Sequence, residues 1–308
     1  MSTATLLAGT LVVALNAYVL LGGADFGGGV WDLLALGPRK EAQRQLIANA
    51  IGPVWEANHV WLILAIVLLF TCFPAAFARI AVPLNLPLTG VLIGIVLRGS
   101  AFAFRGYGGD RDVVQRRWGR VFAVASLVTP LLLGTALGAI ASGAIGAAGN
   151  DARAGFAARY IEPWLAPFPL AVGVFTLACF AFLAATYLTL EAPAGPLRED
   201  FRRRALASGG AVAAAALVTL LLANPGAPLM RHGLLGSSWA LPYQLVTGVV
   251  LLTALAALAR RRYAPARLAA TLQVSLVLWG WAWSQYPYVV PPDVTIDSSA
   301  APAATLRL

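Results

Sequence analysis

Glu56 and His59 stand one turn apart at the start of an apolar run, IGPVWEANHVWLILAIVLLF, residues 51–70. An acid and an imidazole at i and i+3 share one face of a helix. Both can take up and release protons, so the pair could move protons between water and whatever that face meets. Trp55 lies one turn before His59, and Pro53 suits the first helical position, which places Glu56 near the positive end of the helix dipole. Other ionisable residues sit inside or beside apolar runs. Asp25 and Asp32 occur in GGADFGGGVWDLLALGPRK (22–40), and Arg98 in LIGIVLRGSAFAF (92–104). Burial and a positive neighbour act on a carboxylate's proton in opposite senses, which suits a group that both accepts and gives up protons.

The elements that position these residues are membrane helices. The chain has 308 residues, 59% hydrophobic and 11% charged, a balance outside the range of soluble domains. Crossing about 30 Å of hydrocarbon takes roughly 20 residues. Eight runs meet that need: 4–22, 53–78, 80–104, 118–145, 162–190, 203–224, 237–258 and 266–289. The expected fold is an all-α polytopic membrane protein of eight transmembrane helices, with room for a short peripheral helix after residue 30. No Lys or Arg precedes Arg39, so the first run lacks the basic flank of a cleavable signal and is expected to stay as a helix.

NAYVLLGGADFGG (16–28) and AATYLTLEAPAGP (184–196) each lead from a tyrosine and leucines to an acid and then Gly or Pro. This pattern suggests two pseudo-repeated four-helix bundles, 1–150 and 151–308, as parallel repeats. The segment 22–29 holds five glycines in GGADFGGG and is expected to be a loop or a broken helix that returns Asp25 and Asp32 toward the bundle.

The net charge of +9 could suit nucleic acid, but its distribution is topological. Sixteen of the 22 basic residues fall in the connections after odd-numbered runs, which the positive-inside bias places in the cytoplasm with both termini outside. Nucleic acid is therefore not an expected partner. In this orientation Asp25, Glu56, His59 and Arg98 come from three separate helices to one membrane face, with Asp32 as a fifth member. Arg98 lies six residues before Phe104, about 9 Å along the helix. Intramembrane ionisable groups usually face the bundle interior and one another, which favours a proton path. The competing reading leaves Glu56, His59 and Arg98 in the headgroup region, with Arg98 snorkelling.

Cys72 and Cys179 stand alone in apolar runs without C-x-x-C spacing, so no metal site is expected and two buried thiols are the simpler reading. The only histidines are His59 and His232, in different regions, and the methionines are Met1 and Met230. These are too few axial ligands for several hemes, so a redox centre belongs in a partner. The last run ends QVSLVLWGWAWSQYPYVVPPD, an aromatic belt in which Gln285 is a further polar candidate.

GGADFGGGVWDLL, GPVWEANHVWLILAIVLLFTCFPAAF, VLRGSAFAFR and WGWAWSQYPYVVPPD together resemble subunit II of the cytochrome bd-type quinol oxidases, across essentially the whole chain. Glu56 in its EANH setting is similar to the cyanide-insensitive branch. The resemblance implies a heterodimer in the bacterial cytoplasmic (inner) membrane. Its heme-bearing subunit I would hold two b-type hemes and heme d, oxidise quinol outside and reduce oxygen to water. Subunit II would carry no heme, serve assembly, and supply a cytoplasmic proton path through Asp25 and Glu56, with Arg98 as electrostatic partner. Some members hold a structural quinone in this subunit, and the sequence leaves open both that and whether a small accessory subunit binds. A stand-alone proton-coupled transporter and a scaffold without conduction are the alternatives.

Overall fold

Ser2 starts the first helix by accepting a hydrogen bond from the Thr5 amide, the ordinary N-cap arrangement. From there α1 (Thr3–Leu33) runs unbroken for 31 residues in the computed structural model, which describes residues 2–52, 55–107, 112–146 and 155–307. For 55–56, 105–107 and 112–116 it describes the backbone alone.

The glycine-rich segment 22–29 is helical, not a loop, and this corrects the expectation above. Close packing explains it. A Cβ on Gly27 would overlap the carbonyl oxygen of Phe180, and one on Gly29 would overlap the Ser126 side chain. The glycines weaken the helix locally, but they let two backbones approach as small residues do in membrane bundles. Trp31 locks this seam by donating its Nε1–H to the Ala181 carbonyl at 2.8 Å. Trp31→Phe should therefore cost about 1 kcal/mol, one net hydrogen bond, seen as a lower thermal midpoint in detergent.

The peripheral helix is α2 (Lys40–Ile51), which buries Gln43, Ile47 and Ile51 and exposes its charged face. Next come α3 (Trp55–Cys72) and α4 (Pro74–Ala81), bent by 116° from one another. Residues 53–78 are thus not one straight span. Pro74 cannot donate to the preceding turn and pushes Phe73 out of helical geometry, to φ −134° and ψ 58°.

The chain continues through α5 (Asn85–Tyr107), α6 (Asp112–Ser142), the short α7 (Phe156–Tyr160) and α8 (Glu162–Leu165). Then follow α9 (Pro167–Glu191), α10 (Pro196–Gly226), α11 (Pro228–Gly236), α12 (Ala240–Ala259) and α13 (Tyr263–Gln285). Residues 162–190 therefore divide at Pro167, which opens α9.

Among the described residues six helices, α1, α5, α6, α9, α10 and α12, are long and apolar enough to cross a membrane, and α3 with α4 makes a seventh if the bent pair is one span. The eighth expected run is α13, 23 residues long but outside that set. Arg267, Gln273 and Ser275 lower its hydropathy.

Helix α9 is central, packed on α1, α6, α10 and α13. Its buried positions run consecutively from Cys179 to Thr186, all round the helix, as expected for an element enclosed by others. The outer helices present apolar side chains outward, such as Val60, Ile63 and Val67 on α3 and Leu241, Leu245 and Leu252 on α12.

After α13, the strands β1 (Tyr288–Val290) and β2 (Val294–Thr295) form an antiparallel hairpin. Beyond it the Ala301 amide donates to the Cys72 carbonyl at 2.8 Å, capping the end of α3.

Candidate functional site

Between α1, α3, α5 and α6 lies a buried polar cluster. Asp25, 5% exposed, accepts a hydrogen bond from the Asn58 amide on α3. Arg98 is 1% exposed and does not snorkel. Its guanidinium lies 4.9 Å from the Phe26 ring centre and 5.0 Å from that of Phe122, and its Nε–H donates to the Ser126 hydroxyl at 3.2 Å. Two aromatic faces thus supply part of the stabilisation that water would give the cation. Asp25 adjoins Phe26, the ring on which Arg98 stacks, and among the described residues no ion pair within 4 Å joins the two charges. His59 packs beside Tyr18 and Phe26, at ring separations of 5.9 and 6.3 Å.

The cluster holds more polar capacity than it uses. The Tyr18 hydroxyl, both His59 ring nitrogens, one terminal nitrogen of Arg98 and the Thr129 hydroxyl are buried without a hydrogen-bond partner. Buried polar groups are normally satisfied by protein or by ordered water, so this is where water would be held.

Asp32 lies seven residues beyond Asp25 on α1, also buried, with the Arg44 guanidinium 3.8 Å from its carboxylate. Tyr18 lies seven residues before Asp25. Seven residues are close to two turns, so Tyr18, Asp25 and Asp32 form one stripe with steps of about 10 Å. The structure therefore brings Asp25, His59 and Arg98 together and sets Asp32 on the same helix face. The side chains of Trp55 and Glu56 lie outside the described residues. Gln285 is buried at the far end of α13 with its carbonyl oxygen unpartnered, and it does not join the cluster.

Sequence reasoning missed Asn58 and Tyr18. Asn58 sits inside the EANH motif itself, and Tyr18 was detectable from its heptad spacing to the two aspartates.

At the arginine-rich end, Arg39 donates twice to Asp200, at 2.7 and 2.6 Å, which raises the pKa of its guanidinium. Gln43 joins the same carboxylate at 3.0 Å and accepts from Arg204 at 2.7 Å. Arg204 also donates to the Leu34 carbonyl at 3.0 Å, so α2 is strapped across the ends of α1 and α10.

A separate cavity of about 310 Å³ opens between α9, α10, α12 and α13, with apolar walls. Three polar atoms on its lining residues, the Thr219 hydroxyl, the Gln273 carbonyl oxygen and the Trp281 Nε1–H, are buried without partners. Among the described residues, no three of His, Cys, Asp and Glu are grouped to hold a metal ion.

Known proteins place this geometry in context. Residues 3–308 match the family described as cytochrome bd terminal oxidase subunit II. The cytochrome bd ubiquinol oxidase subunit 2 of Bacillus subtilis (strain 168) is 35% identical over 124 residues, 40% of this chain and 36% of that protein. The cytochrome bd-I ubiquinol oxidase subunit 2 of Escherichia coli (strain K12) is 29% identical over 222 residues, 70% of this chain and 53% of that protein. The chain thus spans about a third to a half of the length of these two relatives. The bd oxidase of Geobacillus thermodenitrificans has the same fold, at a TM-score of 0.82 and 20% identity, covering 100% of this chain and 92% of that one. With the family matched over nearly every residue and the fold shared end to end, the chain belongs to the cytochrome bd terminal oxidase subunit II family.

Proposed function

We propose that this chain is the heme-free subunit of a bd-type quinol:oxygen oxidoreductase in a bacterial cytoplasmic membrane. In this reading it forms two four-helix bundles, 1–150 and 151–308, with eight spans and both termini outward. It pairs with a heme-bearing subunit I, supports assembly of the complex, and leads cytoplasmic protons toward the site of oxygen reduction. The observation that carries the reading is the buried stripe Asp32, Asp25 and Tyr18, with His59 and Arg98 beside it. Carboxylates so far from bulk water persist in membrane helices chiefly where they serve ion or proton movement.

Each residue then has a physical task. Asp32 receives protons at the arginine-rich end. Asp25 relays them, held in orientation by the Asn58 amide. Arg98 keeps the negative charge tolerable in a low-dielectric setting, and the unpartnered groups of His59 and Tyr18 hold the water that bridges the steps. Glu56, in the first turn of α3, is assigned the onward step. The partner's hemes supply the oxygen chemistry. The structural quinone of some family members fits the apolar cavity, where Trp281 and Thr219 can donate to a carbonyl oxygen.

Two measurements test the reading. The complex purified with its native partner should show heme bands that leave with the partner when the subunits are separated. A stand-alone transporter would show none. Glu56→Gln should lower oxygen consumption about tenfold or more in complexes that retain every heme. Normal turnover would reduce the chain to a scaffold.

A further inference from the structure

Arg261 ends α12 in a conformation that L side chains avoid. Its φ is +57°, and among the described residues it is the one non-glycine with positive φ. The Arg262 amide donates to the Ala257 carbonyl at 2.8 Å and the Arg261 amide to that of Leu258 at 3.1 Å. This is the helix-end motif in which glycine normally takes the left-handed position. The side chain of Arg261 is not fixed inward either. It is 69% exposed, 3.7 Å from Glu199.

Glu199 is already committed. Arg202 donates to both of its oxygens, at 2.8 and 2.6 Å, and Arg203 approaches at 3.5 Å. Three arginines therefore share one carboxylate. Among the described residues Arg260 and Arg262 have no ion pair, and Arg198 spends its donors on the Ala192 carbonyl while stacking over Tyr263 at 5.4 Å. Beside these arginines lies a recess of about 370 Å³, floored by Ala194, Gly195 and Pro196 and walled by Arg198, Arg261, Tyr263 and Glu199, whose carboxylate is already paired with Arg202. The first turn of α10 opens there behind Pro196, with no side-chain cap. Toward the membrane core, Leu268 and Leu272 of α13 and Leu252 of α12 are exposed and apolar.

An anion with a hydrocarbon tail matches both halves of this surface. We infer that the recess between the α9–α10 and α12–α13 connections binds the phosphodiester headgroup of an anionic phospholipid, its acyl chains lying along α12 and α13. Basic recesses between membrane helices recognise lipid headgroups in this way. The site lies apart from the polar stripe, so it stands or falls independently of proton conduction.

The test uses the complex delipidated in detergent and titrated with phosphatidylglycerol, phosphatidylcholine or inorganic phosphate, with bound lipid counted by native mass spectrometry. One phosphatidylglycerol per chain should be retained, with a preference of about tenfold or more over phosphatidylcholine. Arg261→Gly should weaken it about fivefold. Glycine suits the backbone at 261, so the variant should keep or raise its thermal midpoint, and a loss of lipid then reports the site and not misfolding. Equal retention of the two lipids, or an unchanged preference in the variant, would overturn the proposal. So would displacement of phosphatidylglycerol by inorganic phosphate, which would make the recess a site for the free ion.

Discussion

Asp25→Asn is expected to cut quinol-driven oxygen consumption about a hundredfold in complexes that keep all their hemes, the lower end of what a positioned proton carrier contributes. Asparagine has the size of aspartate and can still accept from the Asn58 amide, so packing at the α1–α3 contact is conserved. What disappears is the ability to carry a proton. The same change removes a negative charge from the cluster that holds Arg98, whose contacts among the described residues are the neutral Phe26, Phe122 and Ser126. A moderate loss of thermal stability should accompany the loss of turnover. Oxygen uptake measured beside heme spectra separates the two effects. Turnover above half of wild type with intact hemes would remove Asp25 from the path.

Gly27→Ala should be the most damaging added methyl among the glycines whose surroundings are described. The new Cβ would meet the carbonyl of Phe180, which belongs to the backbone of the central helix and cannot swing aside. Overpacking usually costs 1–3 kcal/mol, and with backbone as the neighbour about 3 kcal/mol or more is expected. The outcome should be little assembled subunit in the membrane, since the shift also moves Asp25, two residues earlier, and Trp31, one turn later. Gly9 on the same helix provides the control. Nothing lies within 4 Å of a Cβ there, so Gly9→Ala should be neutral or stabilise by about 0.5 kcal/mol through better helix propensity.

These glycines also show where sequence reading reaches its limit. Composition and run length were enough to find the membrane helices, because the bilayer imposes length and apolarity on each segment alone. Five glycines in a row of eight look like a break on local grounds. They are instead a packing surface, because the partner that rewards them, Phe180, lies far away in sequence. Pro74 was the opposite case. The local signal for a break was present, but the apolar run on either side concealed it.

At the candidate site, Arg98 was legible because apolar residues continue on both sides of it, and the structure buries it accordingly. Asn58 was not, because an amide flanked by an acid and an imidazole draws no notice until its contact with Asp25 is seen. Gln285 shared the polar character of the cluster but sits at the wrong end of its helix, which no spacing rule reports.

The end of α3 depends on a residue made much later. Its last turn is closed by the Ala301 amide on the Cys72 carbonyl. While the ribosome is still producing the second half of the chain, that turn has no such cap. Helix α3 can enter the bilayer early, but its final shape must wait for nearly complete translation. The bend itself, set by Pro74, can form at once, so the tail locks a shape it does not create.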